Sequence, residues 1–133
     1  MILANKKSDY LAFIVVFGVF LILFVHYIRD NFKTGADLTL ILGVAPNFIS
    51  ALCCPAVFLG YKSKFEKVVG NLNSFKWFVF CTLLSLAIVI GWEFNQTNLD
   101  SLIFDINDIV ASVCGAILFL FCWPLLRVFV KLA

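Results

Sequence analysis

Four long apolar runs constrain this chain more than any other feature of its sequence. They cover residues 10–28, 38–61, 77–92 and 109–130. A helical apolar segment of about 20 residues matches the hydrocarbon thickness of a bilayer. The composition agrees with this, because 63% of the residues are hydrophobic and only 14% are charged. We therefore predict a single all-α domain, an integral membrane four-helix bundle whose short connections make neighbouring helices antiparallel.

The charged residues divide between the two sides that four crossings would create. One side holds the N-terminal tail, the 62–76 loop and the C-terminus, and most of the basic residues lie there: Lys6, Lys7, Lys62, Lys64, Lys67, Lys76, Arg127 and Lys131. The other side holds Arg29 and Lys33 with most of the acids: Asp30, Asp37, Glu93, Asp100, Asp105 and Asp108. Basic residues in short loops mark the cytoplasmic side, so both termini are predicted to be cytoplasmic, in the cell inner (plasma) membrane.

The 62–76 loop, KSKFEKVVGNLNSFK, is basic and mildly amphipathic. We expect it to contact membrane lipids through solvated lysines that face anionic headgroups.

The acidic residues between the third and fourth runs are not all explained by helix capping. In FDINDIVASVCGAI, Asp105 is placed to cap the helix, and Phe104 with Ile109 would form a hydrophobic staple around that cap. Glu93 is harder to explain, because a negative charge near the carboxyl end of a helix opposes the helix dipole. A partly buried carboxylate there needs a partner, a proton or a cation.

The third and fourth runs form a hairpin, which places Glu93 and Asp108 at the same depth. Gln96 lies on the face of Glu93, three residues on, and Ser112 lies on the face of Asp108, four residues on. Gly115 would let two helices approach closely. We expect two polar edges that face each other and together attract a cation or the cationic part of a ligand.

The segment from Glu93 and Gln96 through FDINDIVASVCGAI resembles the signature of the VanZ-like family, small bacterial membrane proteins with several helices. That pattern has E-x-x-Q at the end of one helix and D-x-x-D before a helix with small residues and a glycine. The resemblance covers residues 93–120 and implies a cell-envelope role connected with resistance to lipoglycopeptides such as teicoplanin. The family often has an arginine before the first aspartate, where this chain has Leu102 and Ile103. We expect Arg29 or Lys33, from the other outer loop, to replace it.

Asn47 follows Pro46 inside the second run. Proline removes a backbone hydrogen bond, so Asn47 either repairs the freed carbonyl or forms the floor of a polar pocket rimmed by Glu93 and Asp108. The first reading is a helix kink, and the second is a ligand site.

Three classes of function remain open. The first is a non-enzymatic envelope protein that binds a lipid-linked or amphiphilic compound, such as a cell-wall precursor, through Glu93, Gln96, Asp108, Ser112, Asn47 and Arg29. The second is a membrane interaction protein, a complex subunit or an immunity protein against a membrane-active toxin, which contacts a protein partner helix to helix. An enzyme or transporter comes third, because no nucleophile or metal-ligand spacing accompanies the carboxylates. We expect no cofactor, no metal site and no nucleic-acid partner.

Overall fold

The computed structural model describes residues 2–32, 35–71, 73–96 and 105–129, which form seven helices and no strand. They are α1 (Ile2–Asn31), α2 (Ala36–Cys53), α3 (Pro55–Leu59), α4 (Lys62–Val69), α5 (Ser74–Gln96), α6 (Ile106–Phe121) and α7 (Trp123–Phe129). The prediction of an all-helical chain is confirmed for these residues. The predicted crossings at 10–28 and 77–92 lie inside longer helices, α1 and α5.

Three segments are long and apolar enough to cross a membrane: Asp9–Asn31, Ala36–Leu59 and Ser74–Gln96. The apolar helix α6 is shorter, at 16 residues. The chain is therefore a membrane protein.

Two of the predicted runs are each divided into two helices. In the second run, α2 continues through Pro46 and ends at Cys53, and Pro55 opens α3. Proline has no backbone N–H and fits the first turn of a helix, which explains why the new helix begins there. In the fourth run, α6 ends at Phe121 with Cys122 as its C-cap, and α7 begins at Trp123, next to Pro124.

The apolar core lies between the first half of α5 and the far end of α6. Phe78 is fully buried, and its ring packs against Phe119 and Trp123 with centroids 4.9 Å from each. Leu59 from α3 and Leu11 from α1 complete this core. The core therefore ties the start of α5 to the end of α6, and the other end of the hairpin is left for polar groups.

Helices α2 and α6 pack side by side and run in the same direction. Asn47 on α2 interacts with Asp108 on α6, and further along both helices Ala51 lies beside Gly115. A β-carbon on Gly115 would overlap the carbonyl oxygen of Phe48 and lie 3.2 Å from the Ala51 β-carbon. Only glycine permits this approach, because any other side chain would push the backbones apart.

Helix α1 packs against α2 and α3 but leaves most of its surface uncovered. Gly18 is its close contact, where a β-carbon would lie 2.8 Å from Cys53. In contrast, the aromatic residues Phe13, Phe20 and Phe24 are exposed. An apolar helix that is this open fits a lipid environment.

Candidate functional site

The candidate site is a carboxylate, Glu93, that lies inside the helix packing. Its side chain is 0% exposed although it belongs to the last turn of α5. The buried positions of α5 recur every three or four residues, through Phe78, Thr82, Ser85 and Val89 to Glu93. This spacing is one face of a helix, so the geometry of α5 itself directs Glu93 into the interior.

Two side-chain amides hold one oxygen of this carboxylate. Asn47 Nδ2 donates to Glu93 Oε1 at 3.0 Å, and Gln96 Nε2 donates to the same oxygen at 2.9 Å. The side-chain amide of Asn47 therefore donates to Glu93 and not to the backbone carbonyl that Pro46 frees. Gln96 reaches back from one turn further along α5.

The second oxygen of Glu93 has no such donor. Glu93 Oε2 is buried and makes no hydrogen bond to any described residue. A buried carboxylate oxygen without a donor is unfavourable by roughly 1–3 kcal/mol or more, because its water of hydration has not been replaced. Native structures contain few such groups, and each of them calls for an explanation.

Asp108 adds a second carboxylate beside the first. It lies close enough to interact electrostatically with Glu93, and the amide of Asn47 interacts with both groups. The sequence placed this pair at equal depth across the α5–α6 hairpin, and the structure brings the two residues together. We name Glu93, Asn47, Gln96 and Asp108 the Glu93 cluster.

The start of α6 positions Asp108. Asp105 is the N-cap, and its side chain accepts a hydrogen bond from Asn107 N at 2.8 Å. The backbone N–H of Asp108 donates to the Asp105 carbonyl at 3.1 Å. Ser112 is fully buried, and its hydroxyl donates to the Asp108 carbonyl oxygen at 2.7 Å. Ser112 thus supports the Asp108 backbone, and its hydroxyl is not directed at the carboxylates.

Arg29 is not part of the Glu93 cluster. Its guanidinium pairs with the His26 ring at 2.8 Å and with Asp30 at 3.7 Å, at the exposed end of α1. Lys33, the other predicted cation, and Asp100 lie outside the described residues. The expected replacement of the family's arginine by Arg29 is therefore not seen in this geometry.

The 62–76 segment differs from its prediction at one residue. Lys62 was expected to be solvated, but it is only 8% exposed, and its Nζ donates to Ser74 Oγ at 2.7 Å. Glu66 Oε1 lies 3.2 Å from the same nitrogen. The Lys-to-Glu spacing of four residues was the signal that could have indicated this ion pair in advance. The other lysines of α4, Lys64 and Lys67, are exposed as expected.

The Glu93 cluster combines two carboxylates with two side-chain amides. In the part of the chain that the structure describes, no group of three or more His, Cys, Asp or Glu side chains could hold a metal ion. Among the same residues, the ion pairs are Arg29 with Asp30 and Lys62 with Glu66, so neither carboxylate of the cluster has a basic partner. Two acids and two amides without a cation make an acceptor-rich site.

Comparison with known proteins adds no relative. The chain matches no family model, no curated protein and no solved structure. The resemblance of residues 93–120 to the VanZ-like family therefore stays a prediction from those residues.

Proposed function

We propose that this chain is a VanZ-like inner-membrane protein of the bacterial cell envelope. In this proposal it binds a lipid-linked or amphiphilic compound, of lipoglycopeptide or cell-wall type, through the Glu93 cluster. The protein acts by binding and catalyses no reaction.

One observation carries this proposal. Glu93 is completely buried at the end of an apolar helix, is held by two amides at one oxygen and has no donor at the other. Ionisable residues inside membrane segments are costly and usually mark functional sites. Asn47 and Gln96 account for one oxygen of the carboxylate, and a ligand that supplies a donor would account for the other.

The proposal includes a topology of four crossings. Helices α6 and α7 together extend from Ile106 to Phe129, which is long enough to span a bilayer despite the break at Cys122. With four crossings, both termini and α4 lie in the cytoplasm, and the Glu93 cluster lies near the outer end of α5. The basic residues at the termini and in the 62–76 loop support this orientation.

A protection assay tests the function. Bacteria that express the wild-type chain should survive higher concentrations of teicoplanin than cells without it, and Glu93→Gln, Asp108→Asn and Asn47→Leu should each remove that gain. Asp37→Asn is the matched control, since Asp37 is an exposed acid in the first turn of α2. Membrane levels of each variant are compared by immunoblot. Full protection by both carboxylate variants at equal protein levels would overturn the proposal.

A second candidate function rests on the open face of α1. The rings of Phe13 and Phe17 stack at 5.9 Å and those of Phe20 and Phe24 at 6.4 Å, forming a regular aromatic surface that the described helices leave exposed. Such a face suits helix-to-helix contact with a membrane partner, as in a complex subunit or an immunity protein. Phe13→Ala with Phe20→Ala should then abolish function, while Glu93→Gln should leave it intact. The opposite pattern favours the ligand site.

A further inference from the structure

The donors around the Glu93 cluster identify what is missing from it. Both amide donors, Asn47 Nδ2 and Gln96 Nε2, are directed at Oε1 of Glu93. The Ser112 hydroxyl is engaged by the backbone of Asp108. Within the Glu93 cluster, Oε2 of Glu93 is therefore the buried acceptor that lacks a donor, whereas the other buried atoms without a partner among the described residues, Trp77 Nε1 and Ser85 Oγ, lie further back along α5. A hydrogen-bond donor from outside the cluster would complete it.

The charge of the site indicates that this donor is cationic. Glu93 and Asp108 are close enough for their charges to interact, and the ion pairs among the described residues are formed elsewhere, by Arg29 and Lys62. Two neighbouring carboxylates are compensated either by a proton that they share or by a bound cation, and only the cation also brings a donor from outside the cluster. A cation with N–H groups satisfies both requirements, because charge-assisted hydrogen bonds are stronger than neutral ones.

The surroundings of the site indicate that this cation is attached to an apolar chain. Glu93 lies in the last turn of α5, and α5 is long and apolar enough to cross a membrane. At this end of α5 and α6, the exposed apolar side chains include Trp92, Ile106 and Val110, which lie on other faces than the carboxylates. Tryptophan near the end of a crossing helix is typical of the membrane interface. A cation that approaches the cluster from this apolar surface would therefore carry an alkyl chain.

We infer that the Glu93 cluster binds the ammonium headgroup of a cationic amphiphile, whose N–H groups donate to Glu93 Oε2 and to the Asp108 carboxylate. This inference rests on the proposed function and narrows its ligand class. A divalent metal ion is the less suitable occupant, because both amides present N–H groups to Glu93, and no third carboxylate, histidine or cysteine joins the pair among the described residues.

Three amphiphiles with the same tail separate the contributions of charge and of hydrogen bonding. Dodecylammonium carries charge and N–H donors, dodecyltrimethylammonium carries charge alone, and dodecanol carries a neutral donor. Each is titrated calorimetrically into full-length protein in phosphatidylcholine nanodiscs, with empty nanodiscs subtracted. We expect saturable binding of dodecylammonium that is about tenfold or more tighter than that of either other probe, as a charged hydrogen bond implies.

Variants of the Glu93 cluster test whether dodecylammonium binds there. Glu93→Gln should weaken dodecylammonium binding about tenfold or more, and Asp108→Asn should weaken it in the same direction, which keeps the test valid if one variant fails to fold. Asp37→Asn should bind like the wild type. Circular dichroism of each nanodisc sample confirms helix content. Equal binding of dodecylammonium to wild type and to both cluster variants would overturn the inference, as would tighter binding of calcium chloride, titrated alone.

The inference and the proposed function fail in different ways. If the cluster variants lose teicoplanin protection but the wild type shows no preference for dodecylammonium, the ligand site stands and its cationic specificity is wrong. If the variants keep full protection and also bind dodecylammonium like the wild type, both are wrong.

Discussion

Two buried charged residues, Lys62 and Glu93, lie near opposite ends of α5 and differ in the partners that surround them. Lys62 lies next to Ser74 at the start of the helix, with a hydroxyl at 2.7 Å and the Glu66 carboxylate at 3.2 Å. Glu93, in the last turn, has two amide donors, no opposite charge among the described residues and one oxygen without a donor. The lysine is compensated within the fold, and the glutamate is not.

If the proposed function is right, this difference separates a charge that stabilises the fold from a charge that binds a ligand. A buried ion pair that is complete needs no further partner, and its loss is felt as lost stability. A buried charge without its opposite lowers stability in the absence of a ligand and becomes favourable when a ligand supplies the missing group. The comparison therefore predicts that substitutions at the two ends of α5 will separate stability from function.

The largest expected effect concerns the helix contact that assembles the Glu93 end. Gly115→Ala should lower the free energy of unfolding by about 1–3 kcal/mol, because the new methyl group would overlap the Phe48 carbonyl oxygen. Gly91→Ala is the matched control, since nothing lies within 4 Å of a β-carbon there, and it should be neutral or stabilising. Unfolding by sodium dodecyl sulfate in mixed micelles, followed by circular dichroism, measures both. Equal stability of the two variants would show that α2 and α6 are not in close contact.

The next largest effect on stability is expected at the start of α5, where Lys62 contacts Glu66 and Ser74. Lys62→Met should lower the free energy of unfolding by about 1–2 kcal/mol, less than for a fully buried pair, because the Glu66 side chain is 31% exposed. Lys67→Met, at an exposed lysine of the same helix, should change it by less than about 0.5 kcal/mol. The same micelle titration applies, and teicoplanin protection should survive the Lys62 substitution at reduced protein level. Loss of protection per folded molecule would contradict the assignment of Lys62 to structure.

The helix cap should show a smaller effect. Asp105→Ala removes the acceptor for the Asn107 backbone N–H and should cost about 1 kcal/mol. Asp37→Ala provides the comparison, since Asp37 lies in the first turn of α2, where Gly35 is the N-cap. Protection should be retained by both variants, which would separate Asp105 as a cap from Asp108 as a ligand contact. A loss of protection in Asp105→Ala without a loss of stability would place Asp105 in the site.

The helical class and the proximity of Glu93 to Asp108 could be predicted from the sequence, because both depend on patterns within short segments. Apolar length predicts a membrane helix, and the spacing from Glu93 to Gln96 and from Asp108 to Ser112 fixes which side chains share a face. Asn47 could be proposed only as one of two alternatives, since its partner depends on how α2 packs against α5 and α6. That packing depends on Gly115, whose contact on another helix no local pattern identifies.

The burial of Lys62 could not be read from local patterns, because it depends on the contact with Ser74 of the next helix. The break at Cys122, in contrast, has a local signal in Pro124, which lies in the first turn of α7. For Arg29 the sequence suggested a contact that the structure does not show. Its positive charge made it a candidate partner for Glu93 and Asp108, but its guanidinium contacts His26 and Asp30 on its own helix. The distribution of basic and acidic residues predicts which side of a membrane each loop lies on, but it does not predict which side chains contact each other.

The smallest effect on stability belongs to the substitution with the largest expected effect on function. Glu93→Gln keeps the oxygen that accepts from Asn47 and Gln96, removes a buried charge beside Asp108 and supplies an amide that can donate to it. The free energy of unfolding should therefore stay within about 1 kcal/mol of the wild type or rise, whereas teicoplanin protection should be lost. Protection is measured in living cells and unfolding on protein purified from the same cultures, with Lys62→Met as the reciprocal case. If Glu93→Gln instead destabilises the protein as much as Lys62→Met does, then Glu93 is a structural residue like Lys62, and the distinction between the two ends of α5 is wrong.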